Sequence, residues 1–186
     1  MKILIVSGFL GAGKTTFIKR LARNVDQRFA ILENEYGAAG IDGARLGQNR
    51  QGTQKNVWEM TEQCICCIGK KDFAASVLTI ANVVDPEYLI VEPTGVGSLA
   101  RIIENLRQIE YERIQLLSPV TIVDVYSYRR YMAEYPELYQ DQIRSADTII
   151  VSKTEACQAE EKQRIQKFLQ EINPQAKIIT DYASTM

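Results

Sequence analysis

Lys2-Ile3-Leu4-Ile5-Val6-Ser7-Gly8-Phe9-Leu10-Gly11-Ala12-Gly13-Lys14-Thr15-Thr16 is the stretch on which the fold turns. An apolar β-rich run leads into a glycine-rich turn, and a helical pattern begins at Thr15 and runs to Arg23. Gly8, Gly11 and Gly13 let the backbone curl so that its N–H groups face inward on a polyphosphate. The following helix N-terminus adds its partial positive charge. The backbone from Gly11 through Ala12, Gly13 and Lys14 to Thr16 would cradle the phosphates. Lys14 can reach the β- and γ-phosphates, and the Thr15 hydroxyl can ligate Mg²⁺.

Outward from that loop, strand-like runs alternate with helical patterns. The expected strands are 2–6, 29–33, 56–60, 88–92, 118–124, 148–152 and 177–180. The expected helices are 15–23, 72–83, 97–107, 127–134, 136–145 and 159–172. Apolar strands alternating with helices imply an α/β fold, a doubly wound and mostly parallel sheet covered on both faces. Ligands in such sheets sit beyond the carboxyl ends of the strands, where every motif described below falls.

The 186 residues suffice for one domain with a sizeable core. Apolar content of 46% and charged content of 24% mark a soluble globular chain. The net charge of −1 argues against a nucleic-acid or anionic-membrane partner. No apolar run reaches the ~20 residues of a membrane span, and the first strand resembles a signal segment only until the glycine loop follows it. A cytoplasmic protein is expected. Three of the four cysteines (Cys64, Cys66, Cys67) fall within four residues, a spacing suited to metal or redox chemistry in a reducing compartment. With no histidine in the chain, a metal site must use thiolate, carboxylate, backbone or water.

At the end of the fourth expected strand, Glu92-Pro93-Thr94-Gly95 places an acid where Mg²⁺ or the attacking water would be held. Gly95 there allows the backbone to approach a γ-phosphate. After the second strand comes Leu32-Glu33-Asn34-Glu35-Tyr36-Gly37, then Gly40-Ile41-Asp42. The three acids of this run, Glu33, Glu35 and Asp42, can sense Mg²⁺, position water or ligate a second metal. The glycine-rich 36–54 segment reads as a mobile loop over the nucleotide.

Cys64-Ile65-Cys66-Cys67 offers soft ligands for Zn²⁺ or Cu⁺. Adjacent Cys66 and Cys67 tend to point apart, so one tetrahedral ion would take two of the three thiolates. Glu35, Asp42, Glu62, water or another subunit would complete it. Cys157 stands alone at a helix start and is read as structural. Ser152-Lys153-Thr154-Glu155 ends the sixth strand where GTPases carry Asn-Lys-x-Asp. Glu155 keeps the acid that accepts from guanine, Lys153 the stem that covers the ring, and Ser152 a shortened brace to the glycine loop.

These motifs, in this order, resemble the CobW-like branch of the CobW/HypB/UreG metallochaperone GTPases. The match runs through Gly8–Thr16, Asn34–Gly37 with Gly40–Asp42, Cys64–Cys67, Glu92–Gly95, the weaker Ser152–Glu155 and Asn173-Pro174-Gln175-Ala176. The resemblance implies a SIMIBI-type P-loop NTPase domain that couples slow, Mg²⁺-dependent GTP hydrolysis, with GDP as product, to delivery of Zn²⁺, Co²⁺ or Ni²⁺. The recipient would be a client metalloenzyme or a separate partner polypeptide, with a nucleotide- or metal-dependent homodimer as a further expectation. Ala38 replaces an acid usual in the family, and Gln63 replaces a glycine. The family's C-terminal domain and His-rich tract are not expected within residues 1–186. Two other classes remain open from the sequence: a P-loop small-molecule kinase, and a nucleotide-gated metal-binding or scaffold module with negligible hydrolysis. A kinase calls for an Arg-rich lid, and the one adjacent Arg pair, Arg129-Arg130, lies far along the chain from the glycine loop.

Overall fold

The computed structural model describes residues 1–24, 27–33, 57–61 and 70–181. Its strands are β1 (Lys2–Gly8), β2 (Phe29–Glu33), β3 (Val57–Thr61), β4 (Tyr88–Glu92), β5 (Gln115–Leu116), β6 (Val120–Asp124), β7 (Thr148–Ser152) and β8 (Lys177–Ile179). Its helices are α1 (Lys14–Asn24), α2 (Lys70–Thr79), α3 (Leu99–Arg107), α4 (Tyr128–Glu134), α5 (Pro136–Arg144) and α6 (Ala159–Ile172).

Every pairing between these strands is parallel. Their order across the sheet is β3-β2-β4-β1-β6-β7-β8, with β5 attached to β1. Side-chain alternation sends successive strand residues to opposite faces. Ile3, Ile5, Ala30, Leu32, Leu89, Val91, Ile149 and Val151 face one way. There they meet Phe73 and Val77 of α2, Ile102 and Leu106 of α3, Ile143 of α5, and Ile165 and Leu169 of α6. Val6, Phe29, Ile31, Ile90, Ile122 and Ile150 face the other way, against Phe17, Ile18 and Ala22 of α1. Burying strands on both faces is what makes them read as unbroken apolar runs.

Chain order reverses at β1, which lies between β4 and β6. A crevice therefore opens beyond the carboxyl end of β1, at the switch point of the sheet.

Three elements depart from the sequence reading. The expected strand 118–124 begins only at Val120, after Pro119, which has no N–H to give a ladder, and the two-residue β5 before it was not expected. The short β5 pairs with the start of β1 (Lys2↔Gln115), and β6 pairs with its end (Val6↔Val120). The Pro119 carbonyl instead accepts the N–H groups of Asp147 and Thr148, entering β7. Next, α2 runs into a π-helical turn, Ile80–Val84, closed by the Asp85 N–H on the Ile80 carbonyl with Asp85 in the left-handed region at φ 47°. Finally, α3 begins two residues later than expected because Ser98 caps it, accepting the Arg101 N–H. No helix among the described residues is long and apolar enough to cross a membrane.

Candidate nucleotide-binding site

At the end of β1, Gly8 has φ 145°, and a Cβ there would stand 2.5 Å from the Ile122 carbonyl oxygen of β6. Only glycine lets the strand pass that close. Gly11 (φ 73°) and Gly13 (φ 100°) then curl the chain through the left-handed region. The Ala12 N–H closes the turn on the Phe9 carbonyl, and α1 starts at Lys14.

Lys14 is only 8% exposed. Its Nζ donates to the carbonyls of Gly8 (3.0 Å) and Phe9 (3.4 Å) and lies 3.9 Å from Glu92 Oε1. The ammonium is thus stored on its own loop, pointing where phosphate oxygens would replace the carbonyls.

A cavity of about 600 Å³ covers the loop, a volume suited to a small ligand. Of the sequence-expected residues, it brings together Gly11, Gly13, Lys14, Thr15, Thr16, Glu92, Gly95 and Lys153. Gly8, Ala12 and Ser152 form the wall behind them. Glu155 is exposed and does not line the cavity. Glu35, Asp42, Cys64, Cys66 and Cys67 lie outside the described residues, as does the 36–54 segment.

The sequence reading counted Glu33 among the acids of its run but did not single it out. It closes β2 as Glu92 closes β4, and the two are register partners on adjacent strands. Glu33 is 6% exposed and lines the cavity. The signal was an acid ending an apolar strand, the same signal that picked out Glu92. Lys14 Nζ, 3.9 Å from Glu92 Oε1, offsets part of the repulsion between these two neighbouring carboxylates. With the Thr15 hydroxyl they form an all-oxygen donor set, which fits a hard divalent ion such as Mg²⁺.

On the far side of the loop, the Ser152 hydroxyl donates to the Ala12 carbonyl at 2.6 Å and is buried. The serine is shorter than asparagine and still braces the loop, because the loop comes close: a Cβ on Gly13 would lie 3.8 Å from Ser152. Lys153 follows in the left-handed region at φ 61°, and its Nζ donates to Asp124 Oδ2 at 2.8 Å. Asp124 also accepts from the Tyr126 N–H and the Ser127 hydroxyl. Burial opposes its ionisation most strongly, but the bonds from Lys153, Tyr126 and Ser127 together outweigh it and hold the carboxyl below its ordinary value. Asp124 therefore fixes the Lys153 stem, a partnership that spacing in the sequence did not announce.

Helix α4, remote in sequence, sits against the glycine loop. The Tyr131 hydroxyl donates to the Leu10 carbonyl at 2.9 Å. Phe9 packs against Tyr131, Tyr135 and Tyr139 with centroids 4.7, 5.8 and 5.0 Å away. The Arg129-Arg130 pair thus lies beside the loop in space. Arg129 is turned to Tyr128 and Glu161, and Arg130 stacks on Tyr131.

Residues 2–180 match the CobW/HypB/UreG nucleotide-binding domain. The chain belongs to this family. Among curated relatives it is 31% identical over 170 residues to the zinc chaperone YeiR of Escherichia coli, covering 90% of this chain and 51% of that protein. It is 27% identical over 194 residues to the zinc chaperone CobW of Pseudomonas aeruginosa, covering 89% and 52%. These relatives place it in the CobW-like branch. It spans about half the length of the curated relatives it matches. Among solved structures, Zn(II)-bound YjiA GTPase from E. coli superposes with TM-score 0.71 at 23% identity, over 97% of this chain and 57% of that one. The hydrogenase maturation factor HypB of Archaeoglobus fulgidus superposes with TM-score 0.60 at 19% identity, over 96% and 80%. The fold is the SIMIBI type of P-loop domain.

Proposed function

We propose that residues 1–186 form one nucleotide-binding domain that binds GTP with Mg²⁺, hydrolyses it slowly, and couples nucleotide state to the holding of a transition-metal ion. The observation that carries the proposal is the cavity in which Lys14, Thr15, Glu92 and Gly95 converge on a helix N-terminus. Membership of the CobW-like branch supports it.

In this reading the backbone amides of Gly11 to Thr16 hold the phosphates, and Lys14 exchanges the Gly8 and Phe9 carbonyls for β- and γ-phosphate oxygens. Thr15, Glu92 and Glu33 supply the oxygens for Mg²⁺. When bound, that ion neutralises charge on the phosphates and polarises the γ-phosphoryl group. Glu35 or Asp42 orients the attacking water. Lys153, steadied by Asp124, covers the base, and Glu155 reads guanine. Cys64, Cys66 and Cys67 hold the cargo, with Zn²⁺ favoured over Mg²⁺ by thiolate softness and Co²⁺ or Ni²⁺ as alternatives. The recipient is a client metalloenzyme or separate partner polypeptide in the cytoplasm, and nucleotide or metal promotes a homodimer.

The test titrates Zn²⁺ into wild type and a Cys64/Cys66/Cys67→Ser variant, each with GDP and with GMPPNP. We expect tight binding to wild type only, with an affinity that depends on the nucleotide. Equal binding by the variant makes the cysteines structural. Identical wild-type affinity in both nucleotide states removes the coupling. GTP turnover without an added acceptor separates this reading from a kinase.

A further inference from the structure

Gln142 of α5 is 1% exposed, and its side chain reaches across to the turn after β4. Its Nε2 donates to the carbonyls of Gly95 (3.0 Å) and Gly97 (3.1 Å). Its own backbone carbonyl accepts the Thr121 hydroxyl, tying this part of α5 to β6. The neighbouring Asp141 Oδ2 accepts the N–H of Leu99 at 2.7 Å, at the start of α3. Two consecutive residues of α5 thus grip both the 94–97 turn and the helix that follows it.

The turn itself is closed by the Gly97 N–H on the Thr94 carbonyl. A trans peptide is planar, with its N–H antiparallel to its C=O. Fixing the Gly95 carbonyl inward on Gln142 therefore turns the Val96 N–H outward. Engaging the Thr94 carbonyl on the Gly97 N–H likewise points the Gly95 N–H away from the turn's own hydrogen bond. Among the described residues neither N–H has a partner within the protein. Gly95 and Val96 both line the cavity. Strand order fixes which end of the cavity they occupy. Lys153 follows β7 on one side of β1, and Gly95 follows β4 on the other. With Lys153 at the base end, the 94–97 turn stands at the terminal-phosphate end.

The turn also cannot drift inward. A Cβ on Gly95 would lie 2.7 Å from the Leu10 nitrogen, so the turn already rests on the glycine loop. It is held between Leu10 on one side and Gln142 on the other. Gln142 Oε1 is buried with no partner among the described residues. An apolar side chain would avoid the cost of that orphaned acceptor, which points to a use for the two N–H donors.

We infer that Gln142 is a positioning residue for recognition of the terminal phosphate. It holds the 94–97 turn so that the Gly95 and Val96 amides face the γ-phosphate, and it thereby sets how strongly the domain prefers a triphosphate to a diphosphate. The inference rests on the triphosphate reading given above.

The experiment measures affinity for N-methylanthraniloyl GDP and GMPPNP, together with the melting temperature, in wild type and Gln142→Met. The methionine keeps the length of the side chain and removes both donors. We expect GDP affinity within about twofold of wild type and GMPPNP affinity weaker by about tenfold, or ~1.4 kcal/mol. A lower melting temperature by itself does not produce that split. Gln142→Glu keeps the shape without the amide N–H groups and is read in the same way if the methionine variant does not fold. If wild type binds both nucleotides and the variant's ratio of affinities is unchanged, the Gln142 assignment falls alone. If wild type binds neither, the triphosphate reading falls with it.

Discussion

Ser152→Ala removes a contact by which the base-end loop holds the phosphate loop. The hydroxyl donates to the Ala12 carbonyl at 2.6 Å, and its alternative acceptor, the Val123 carbonyl, is at 3.4 Å. Ser152 is 2% exposed and Ala12 also 2%, so water does not replace the lost donor. A buried hydrogen bond contributes about 1 kcal/mol net, and a buried carbonyl left without its donor costs ~1–3 kcal/mol. The cavity left by one oxygen is small, so the orphaned carbonyl dominates and the expected loss is about 2 kcal/mol. For a chain of this length that lowers the melting temperature by roughly 4–8 °C. A loop that has lost its brace must also be ordered when nucleotide binds. About 1 kcal/mol of that ordering weakens GDP and GTP alike by roughly fivefold. Denaturant unfolding and fluorescent-nucleotide titration measure the two effects. A stability change below ~0.5 kcal/mol with unaltered nucleotide affinity would refute the reasoning, because the serine would then not brace the loop in solution.

Lys14→Ala removes the cation now stored on the Gly8 and Phe9 carbonyls. Two charge-assisted contacts of ~1.5–3 kcal/mol each put the loss of triphosphate affinity at about 100-fold or more, and calorimetry showing unchanged affinity in a folded variant sinks the site. Gly95→Ala drives a Cβ to 2.7 Å from the Leu10 nitrogen and 3.1 Å from the Phe9 carbonyl carbon, both backbone atoms. The turn must move, and GMPPNP affinity should fall about tenfold while GDP affinity changes less, as read by competition titration. Asp124→Asn tests the anchor of Lys153. Because folding lowers the Asp124 pKa from its ordinary 3.8, its contribution is complete above that value and is lost as pH falls through the folded value. With Lys153 48% exposed, the gap between wild type and variant should be about 1 kcal/mol at pH 7 and shrink only as pH falls below 3.8 through the folded value. Urea unfolding at both pH values would show a constant gap if the carboxylate played no part.

What the sequence disclosed were the features made by short-range rules. The glycine spacing, the apolar strands and the helix starts all reflect preferences acting within a few residues, and β2, β4, β7 and α6 fall on their expected bounds. The start of β6 after Pro119 was readable from the proline, whereas the two-residue β5 is too short to leave a pattern. The π turn at the end of α2 left no signal in residue type. Glu33 was readable by the same reasoning as Glu92, but Glu35, two residues on, was singled out from the same run instead. Gln142 and Asp124 were hidden for a different reason. Their partners lie 47 and 29 residues away: a glutamine on a polar helix is unremarkable until the sheet brings its partner near, and Asp124 ends an apolar strand as Glu92 does, but only the sheet reveals its partner.

Among the described residues, several outside elements hold the glycine loop before any nucleotide arrives. Ser152 takes the Ala12 carbonyl, Tyr131 takes the Leu10 carbonyl, and the 94–97 turn rests on Leu10 while Gln142 holds it from behind. A loop already fixed in its curled form does not spend binding energy on being ordered, so the diphosphate common to both nucleotides should bind with little preference for state. Discrimination must then come from groups that reach the terminal phosphate. Among the described residues these are the Lys14 ammonium, which must leave its stored position, and the Gly95 and Val96 amides, which already stand in place. The first makes triphosphate binding a competition with the loop's own carbonyls, and the second makes it a matter of how firmly α5 holds the turn. A device of this kind is adjustable from α5, away from the phosphates, and that helix also carries Tyr139 against Phe9 of the loop. A partner that shifted α5 would therefore act on nucleotide preference without touching the nucleotide.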